Sequence, residues 1–277
     1  MGARKILLVV HPTRPEASEY AMELTSELTS IGFEVLSHRD SEIQLLDQVE
    51  IAIVLGGDGT ILRAAELIRG TSIPILGINL GNVGFLAEIT KPSIPDLISC
   101  IRGKTYRTES RLVLHYEVER DSKVIESGWA LNEVTVVRTA TQMVELFLQI
   151  DGRPLSHWGC DGVICATPTG STAYAFSAGG PVLWPEVPAI VLLPLAAHAL
   201  FSRPMVVSPD SRIVIDVESS IAELSADGMR DVALQNSDRV TITRDDAKIY
   251  LAHIEDAIFT DRLVAKFKLP IEGWRGE

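Results

Sequence analysis

No lysine- or arginine-rich block occurs in this chain, and its formal net charge is -12. Nucleic acid and anionic membranes bind through clustered positive charge, so neither is an expected partner. A small anionic substrate stays open, because a local site can be positive on an acidic protein. Cysteine is scarce: Cys100, Cys160 and Cys165 form no C-x-x-C pair. An odd, sparse set predicts buried free thiols in a reducing cytoplasm rather than a disulfide frame. Long hydrophobic runs are missing too. The longest, residues 189–201, is interrupted by Pro194 and His198 and is too short to cross a bilayer. The opening MGARKILLVV has no small-residue cleavage site after it and reads as a strand, not a signal peptide. The histidines His11, His38, His115, His157, His198 and His253 make no H-x-x-x-H or H-E-x-x-H pair, so no protein-held metal is expected. There is no Walker A loop and no G-x-S-x-G elbow. Leu62 stands where a dinucleotide fingerprint needs its last glycine.

What is present is a chain of 277 residues, 46% hydrophobic and 22% charged, large enough for two modest domains. KILLVV (5–10), FEVLS (33–37), IAIVL (51–55) and IPILGINLG (73–81) read as buried strands. Between them, helical spacing runs over 16–31 and 60–68, with Gly32 and Gly70 at the ends, and a further helix is predicted over 96–101. Alternating strands and helices with short glycine joints predict a doubly wound parallel α/β sheet, whose ligands sit beyond the carboxyl ends of the strands. After residue 108 the texture changes. Arg111 to Arg120 alternates, and ALNEVTVVR, MVELFLQID, GVICAT, RIVIDV and RVTIT follow between turn signals. The expected organisation is an α/β domain over 1–108, a β-rich, sandwich-like domain over 109–252, and a tail over 253–277 that packs back on the first domain.

Four stretches carry candidate chemistry. Gly56-Gly57-Asp58-Gly59-Thr60 follows a strand and opens a helix, where backbone N–H groups and the helix dipole favour phosphate. Asp58 would repel an anion there unless it holds a metal ion or takes a proton; as a dipole-stabilised cap it would have only a structural role. The stretch 77–86, GINLGNVGFL, offers backbone and side-chain amides, including Asn79 and Asn82, beside the first turn. Asn132-Glu133 interrupts a strand-like run, so one of the two should point inward, at a cost unless a ligand satisfies it; on an edge strand both would be solvated. The stretch 161–174, DGVICATPTGSTAY, runs a strand into a hydroxyl-rich turn whose N–H and O–H donors suit a flat base or a ribose. An N-cap needs only one such residue. Asp227-Gly228, taken alone, reads as a hairpin turn.

Together these stretches resemble an NAD kinase. GGDGT (56–60), GINLGNVGFLAE (77–88), LNE (131–133), CDGVICATPTGSTAYAFSAGGPV (160–182) and HALFSRPMVVSP (198–209) stand in that family's order, and FTDRLVAKFKLPIEGWRG resembles members from high-GC Gram-positive bacteria. GGDGT is also shared with phosphofructokinases and with diacylglycerol and sphingosine kinases, whereas TPTGSTAY joined to the Asn-Glu pair is specific. A lipid kinase would need an apolar acceptor groove, which the polar turn argues against. A nucleotide sensor without turnover would have no use for Asp58. The resemblance implies transfer of the γ-phosphate of ATP, or of a phosphate of polyphosphate, to the 2′-hydroxyl of the adenosine ribose of NAD, giving NADP. It implies Mg²⁺ or another divalent cation with the ATP. It implies Asp58 as general base and an NAD site of Gly57, Asp58, Gly59, Asn132, Glu133, Asp161, Thr172, Ala173, Tyr174 and Asp227. For the donor phosphates it implies Gly56, Gly57, Gly59, Thr60, Arg63 and Asn79, with Arg203 and Lys91 as further cations. Family members are dimers or tetramers, so a homodimer or homotetramer in the cytoplasm is expected. Residues 104–109 lack the basic triphosphate clamp, and Cys165 stands where Val, Ile or Ser is more usual.

Overall fold

The computed structural model describes residues 3–37, 48–81, 83–88, 91–219, 222–254 and 258–271. Asn82, His38 and the 272–277 end of the expected tail lie outside them. The chain divides into two compact units, residues 1–110 with 248–277, and residues 111–247.

In the first unit, strands β1 (Arg4–Val10), β2 (Phe33–Ser37), β3 (Val49–Leu55), β4 (Pro74–Ile78) and β5 (Arg107–Arg111) share a sheet with a late strand, Ile249–His253. The order is β2-β1-β3-β4, then the late strand, then β5. β1 pairs in parallel with β2 and β3, and β4 with β3 and with the late strand. Such pairing needs crossovers, and the helices supply them. α1 (Pro15–Ser30) and α3 (Ile94–Gly103) bury Leu24, Leu28, Leu97 and Ile101 against Ile6, Leu8, Ile51, Ile53 and Leu55. The intervening Leu7, Val9, Ala52 and Val54 are equally buried, on the opposite face. There α2 (Asp58–Ile68) packs on β1, β3 and β4. The doubly wound reading holds.

The second unit is a β-sandwich. Its strands are β6 (Leu114–Arg120), β7 (Lys123–Ala130), β8 (Glu133–Arg138), β9 (Val144–Ile150), β10 (Arg153–Cys160), β11 (Gly162–Ala166), β12 (Ile190–Leu195), β13 (Met205–Val207), β14 (Ile213–Val217), β15 (Ala222–Ala226), β16 (Arg230–Leu234) and β17 (Arg239–Arg244). One sheet runs β10-β9-β14-β17-β6-β7 and the other β13-β12-β11-β8-β15-β16. Their facing sides share one core that includes Tyr116, Val134, Val136, Leu148, Trp158, Cys165, Leu192, Ile215 and Leu224. Among the described residues, helix is limited here to a 3₁₀ turn at Gly170–Thr172 and the short α4 (Tyr174–Ser177).

All three cysteines are free and buried. Burial pushes the Cys160 thiol up to about 12, so it behaves as the small hydrophobe its sequence context suggests. No helix among the described residues is long and apolar enough to cross a membrane.

The stretch ALNEVTVVR is not one strand. β7 ends at Ala130 and β8 begins at Glu133, and the two belong to different sheets. Leu131 and Asn132 are the corner where the chain passes from one layer of the sandwich to the other.

Candidate functional site

In the first unit, the turn after β3 runs straight into α2. Gly57 is the N-cap, and no side-chain hydrogen bond caps this helix. Asp58 is therefore not a cap. Its half-buried carboxylate instead accepts the backbone N–H groups of Phe85 and Leu86, at 3.0 and 3.1 Å. This ties the second glycine stretch to the first. Gly84 makes the approach possible: a Cβ there would lie 2.2 Å from Asp58 Oδ1. Above Gly57 and Gly59 a Cβ would meet nothing within 4 Å, so the space over the turn is open. The N–H groups of Asp58 and Gly59 lie in the first helical turn and have no intrahelical acceptor. Open space and free donors at a helix start are what a phosphate requires.

The expected phosphate residues differ in how they are held. Gly56 packs on Thr60, which is buried. Asn79 is also buried, and its Oδ1 accepts the Gly81 N–H at 3.0 Å, shaping the second turn from within. Arg63 and Arg203 are exposed, and Lys91 stacks on the Tyr20 ring at 4.5 Å. Arg14 was not singled out from the sequence. It caps α1 at the carboxyl end of β1, and its guanidinium lies where a Cβ on Gly81 would be. A cation in the loop after the first strand was the available signal, since ligand sites in such sheets collect at strand carboxyl ends.

In the second unit the corner at Leu131–Asn132 leaves three backbone N–H groups outside any ladder. Asp227 takes all of them. Its Oδ2 accepts from Leu131 at 2.9 Å, and its Oδ1 from Asn132 at 2.7 Å and Glu133 at 3.3 Å. Arg230 adds a 2.8 Å ion pair and stacks over the Trp129 ring at 4.5 Å. Asp227 and Gly228 both have positive φ, 55° and 61°, in the turn joining β15 to β16. The hairpin reading is correct, and the same turn aims a carboxylate at the corner. Burial raises the Asp227 pKa, with the backbone N–H groups and Arg230 opposing.

The corner is locked from its other side by the hydroxyl-rich turn. Thr167 Oγ1 donates to the Leu131 carbonyl at 2.6 Å and accepts the Gly170 N–H at 3.0 Å. Gly170 packs so closely that a Cβ would lie 2.0 Å from the Asn132 carbonyl oxygen. Ser171 Oγ donates to the Pro168 carbonyl and accepts the Leu183 N–H. The fold thus consumes the Thr167 and Ser171 hydroxyls, which had been expected to face a base or a ribose. Thr172, Ala173 and Tyr174 remain at least partly exposed.

Glu133 is 8% exposed and begins a central strand, between β11 and β15, so the solvated edge-strand alternative is excluded. Its side chain shares a cavity of about 560 Å³ with Thr135, Val137, Arg138, Asp161, Tyr174, Leu195, Ser225, Asp227 and Gly228. Four expected NAD residues, Glu133, Asp161, Tyr174 and Asp227, thus line one cavity. Thr135 and Val137 were missed, although their period-2 spacing from Glu133 put them on its face. Arg138 was missed as well; it pairs with Asp161 at 2.6 Å. Glu133 Oε2 is buried without a hydrogen-bond partner. Burial, and after it the charge of Asp227, pushes the Glu133 carboxyl up to about 7, while the Tyr174 N–H pulls the other way.

Residues 131–254 match the family model of the ATP-NAD kinase C-terminal domain, and residues 40–104 that of the ATP-NAD kinase N-terminal domain. A Streptomyces avermitilis protein named NAD kinase 2 is 43% identical, over 99% of this chain and 97% of its own. The Mycobacterium tuberculosis NAD kinase is 43% identical over 99% of each. Among solved structures, an Archaeoglobus fulgidus NAD kinase in complex with ATP superposes with a TM-score of 0.74 at 26% identity, covering 95% of this chain and 98% of that one. Yeast NADH kinase complexed with NADH gives 0.90 over 99% and 90%; at 24% identity that likeness concerns the fold.

Proposed function

The chain belongs to the NAD kinase family and phosphorylates NAD to NADP, and we propose that Asp58 is the general base and the second unit's cavity part of the NAD site. The observation that carries the site assignment is the meeting of Glu133, Asp161, Tyr174 and Asp227 on one 560 Å³ cavity, beside the Asn132 corner. Thr172 and Ala173 adjoin Tyr174 in the same unit; in the first unit, Gly57 and Gly59 flank Asp58.

ATP is the donor, and polyphosphate is an alternative one. The open space above Gly57 and Gly59, with the first-turn N–H groups of α2, suits the donor's phosphates. Gly56, Thr60 and Asn79 shape the turns, and Arg14 and Arg63 bring positive charge. The 2′-oxygen of the adenosine ribose bonds to the γ-phosphorus as the bond to the β-phosphate oxygen breaks. Its proton passes to Asp58. Each Asp58 oxygen accepts one backbone N–H and keeps a lone pair for that proton. A positioned base of this kind contributes about 10²–10⁴ in rate.

No group of three or more His, Cys, Asp or Glu side chains among the described residues could hold a metal ion. Mg²⁺, or another divalent cation, would accompany the ATP and offset charge on its phosphates. A homodimer or homotetramer fits the exposed apolar side chains Trp184, Leu200, Phe201 and Val206.

The test is NADP formation by purified protein, with ATP and polyphosphate each crossed against NAD. Asp58→Asn is expected to lower turnover by about 10²–10⁴. Turnover within a few-fold of the wild type would remove Asp58 as base.

A further inference from the structure

We propose that Glu133 carries a proton while its cavity is free of nucleotide and releases that proton to solvent when hydrogen-bond donors of bound NAD engage its carboxylate. This rests on the reading that the cavity takes part of NAD. The bound groups are donors such as ribose hydroxyls or an amide N–H, and the exchange is one carboxyl proton lost for each NAD bound.

The geometry around Oε2 leads to this. The oxygen is buried and unpartnered, on a side chain that lines the cavity. Several donors that line the cavity or lie beside it are engaged elsewhere. Thr135 donates its hydroxyl to the Ser225 carbonyl, and Ser225 donates its own to Asp231. The Arg138 guanidinium, at the end of the same strand, is held by Asp161 and the Ala140 carbonyl. Arg230, from the turn after β15, is bound to Asp227. From α4, Tyr174 provides one backbone N–H.

Asp227 lines the same cavity; burial raises its pKa, and three backbone N–H groups and Arg230 oppose that rise by stabilising its charge. A second carboxylate beside it, desolvated and short of donors, favours its neutral form. A ligand that brings donors reverses the balance, because hydrogen bonds to the ionised form favour it. The upward displacement of the Glu133 carboxyl, to about 7, places the exchange near neutral pH.

The experiment is calorimetric titration of the intact protein with NAD, at several pH values and in buffers of different ionisation heat. Below neutrality each binding event should release close to one proton, and the Kd should tighten by up to about tenfold per pH unit, levelling off above it. In Glu133→Gln the release and the pH slope should vanish while weaker binding persists. Binding without release, binding with proton uptake, or undiminished release in Glu133→Gln would each overturn the inference. If that variant fails to fold or to bind, wild-type protein carrying ¹³C-labelled glutamate carboxyls decides the matter. One glutamate should titrate near neutral pH and move to lower pH on adding NAD; its absence overturns the inference. Failure to bind NAD or to form NADP at any pH is a different result, which removes the NAD reading and this inference together.

Discussion

The Asp58 carboxylate accepts the N–H of Phe85 at 3.0 Å while its Oδ1 faces Gly84, where a Cβ would lie only 2.2 Å away. A side chain at the start of a helix is thus fixed by a loop 27 residues further on. The base and the second glycine turn are one construction, and disturbing either should disturb both.

Gly84→Ala tests that coupling. The new methyl group would meet the carboxylate head-on, so the loop or Asp58 must move. Chemical denaturation should show a loss of about 1–3 kcal/mol, and NADP formation should fall at least tenfold. An alanine variant with wild-type turnover would show that Asp58 tolerates displacement, which a positioned base does not.

The two kinds of hydroxyl in T-P-T-G-S-T separate in a pair of valine substitutions. Thr167→Val keeps the shape but strips the Leu131 carbonyl and the Gly170 N–H of their partner, inside a fully buried site. A stability loss of about 1–3 kcal/mol is expected. Thr172 is half-buried, and its hydroxyl makes one 3.2 Å bond to the Thr169 carbonyl. Thr172→Val should cost under about 0.5 kcal/mol and raise the KM for NAD instead. Melting curves and initial rates on both variants check the division; a reversed pattern would refute it.

A pH dependence of stability follows from His253, which is buried in the first unit between Glu88 at 3.1 Å and Glu109 at 3.4 Å. Burial lowers its pKa, but the carboxylates of Glu109 and Glu88 outweigh burial and the nearby Arg262, and the net direction is upward from 6.5. The folded state then binds the proton more tightly than the unfolded one. The contribution is fully present below about 6.5 and is lost as pH rises through the higher folded value. The melting temperature should decline over that alkaline window. In His253→Asn it should start lower at pH 6 and lose this slope. An unchanged slope in the variant would assign the effect to another group.

Much of the first unit is readable along the chain because its signals are local. Phe33–Ser37 was expected and found at the same bounds. α2 was expected from Thr60 and begins at Asp58, two residues sooner, because Gly57 rather than a polar side chain caps it. The late strand was harder. IYLAH resembles the strands before it, yet Ile249–His253 leaves the sandwich and pairs in parallel with β4. Nothing in its own residues names β4 as partner, since register and neighbour are set by the hydrophobic faces already assembled.

The division is clearest at Asn132-Glu133 and Asp227. The sequence by itself determined that two polar residues sit in an apolar run, that Asp227-Gly228 turns the chain, and that GGDGT joins a strand to a helix. Those follow from residue type and spacing, which act over a few residues. Only the tertiary structure decided that the run is a corner between two sheets. It also decided that Asp227, some 95 residues away, supplies the acceptor for three stranded N–H groups, and that Glu133 is left buried with an oxygen unsatisfied. Burial and the pairing of distant polar groups depend on which surfaces meet, and a carboxylate's charge state depends on what remains around it afterwards.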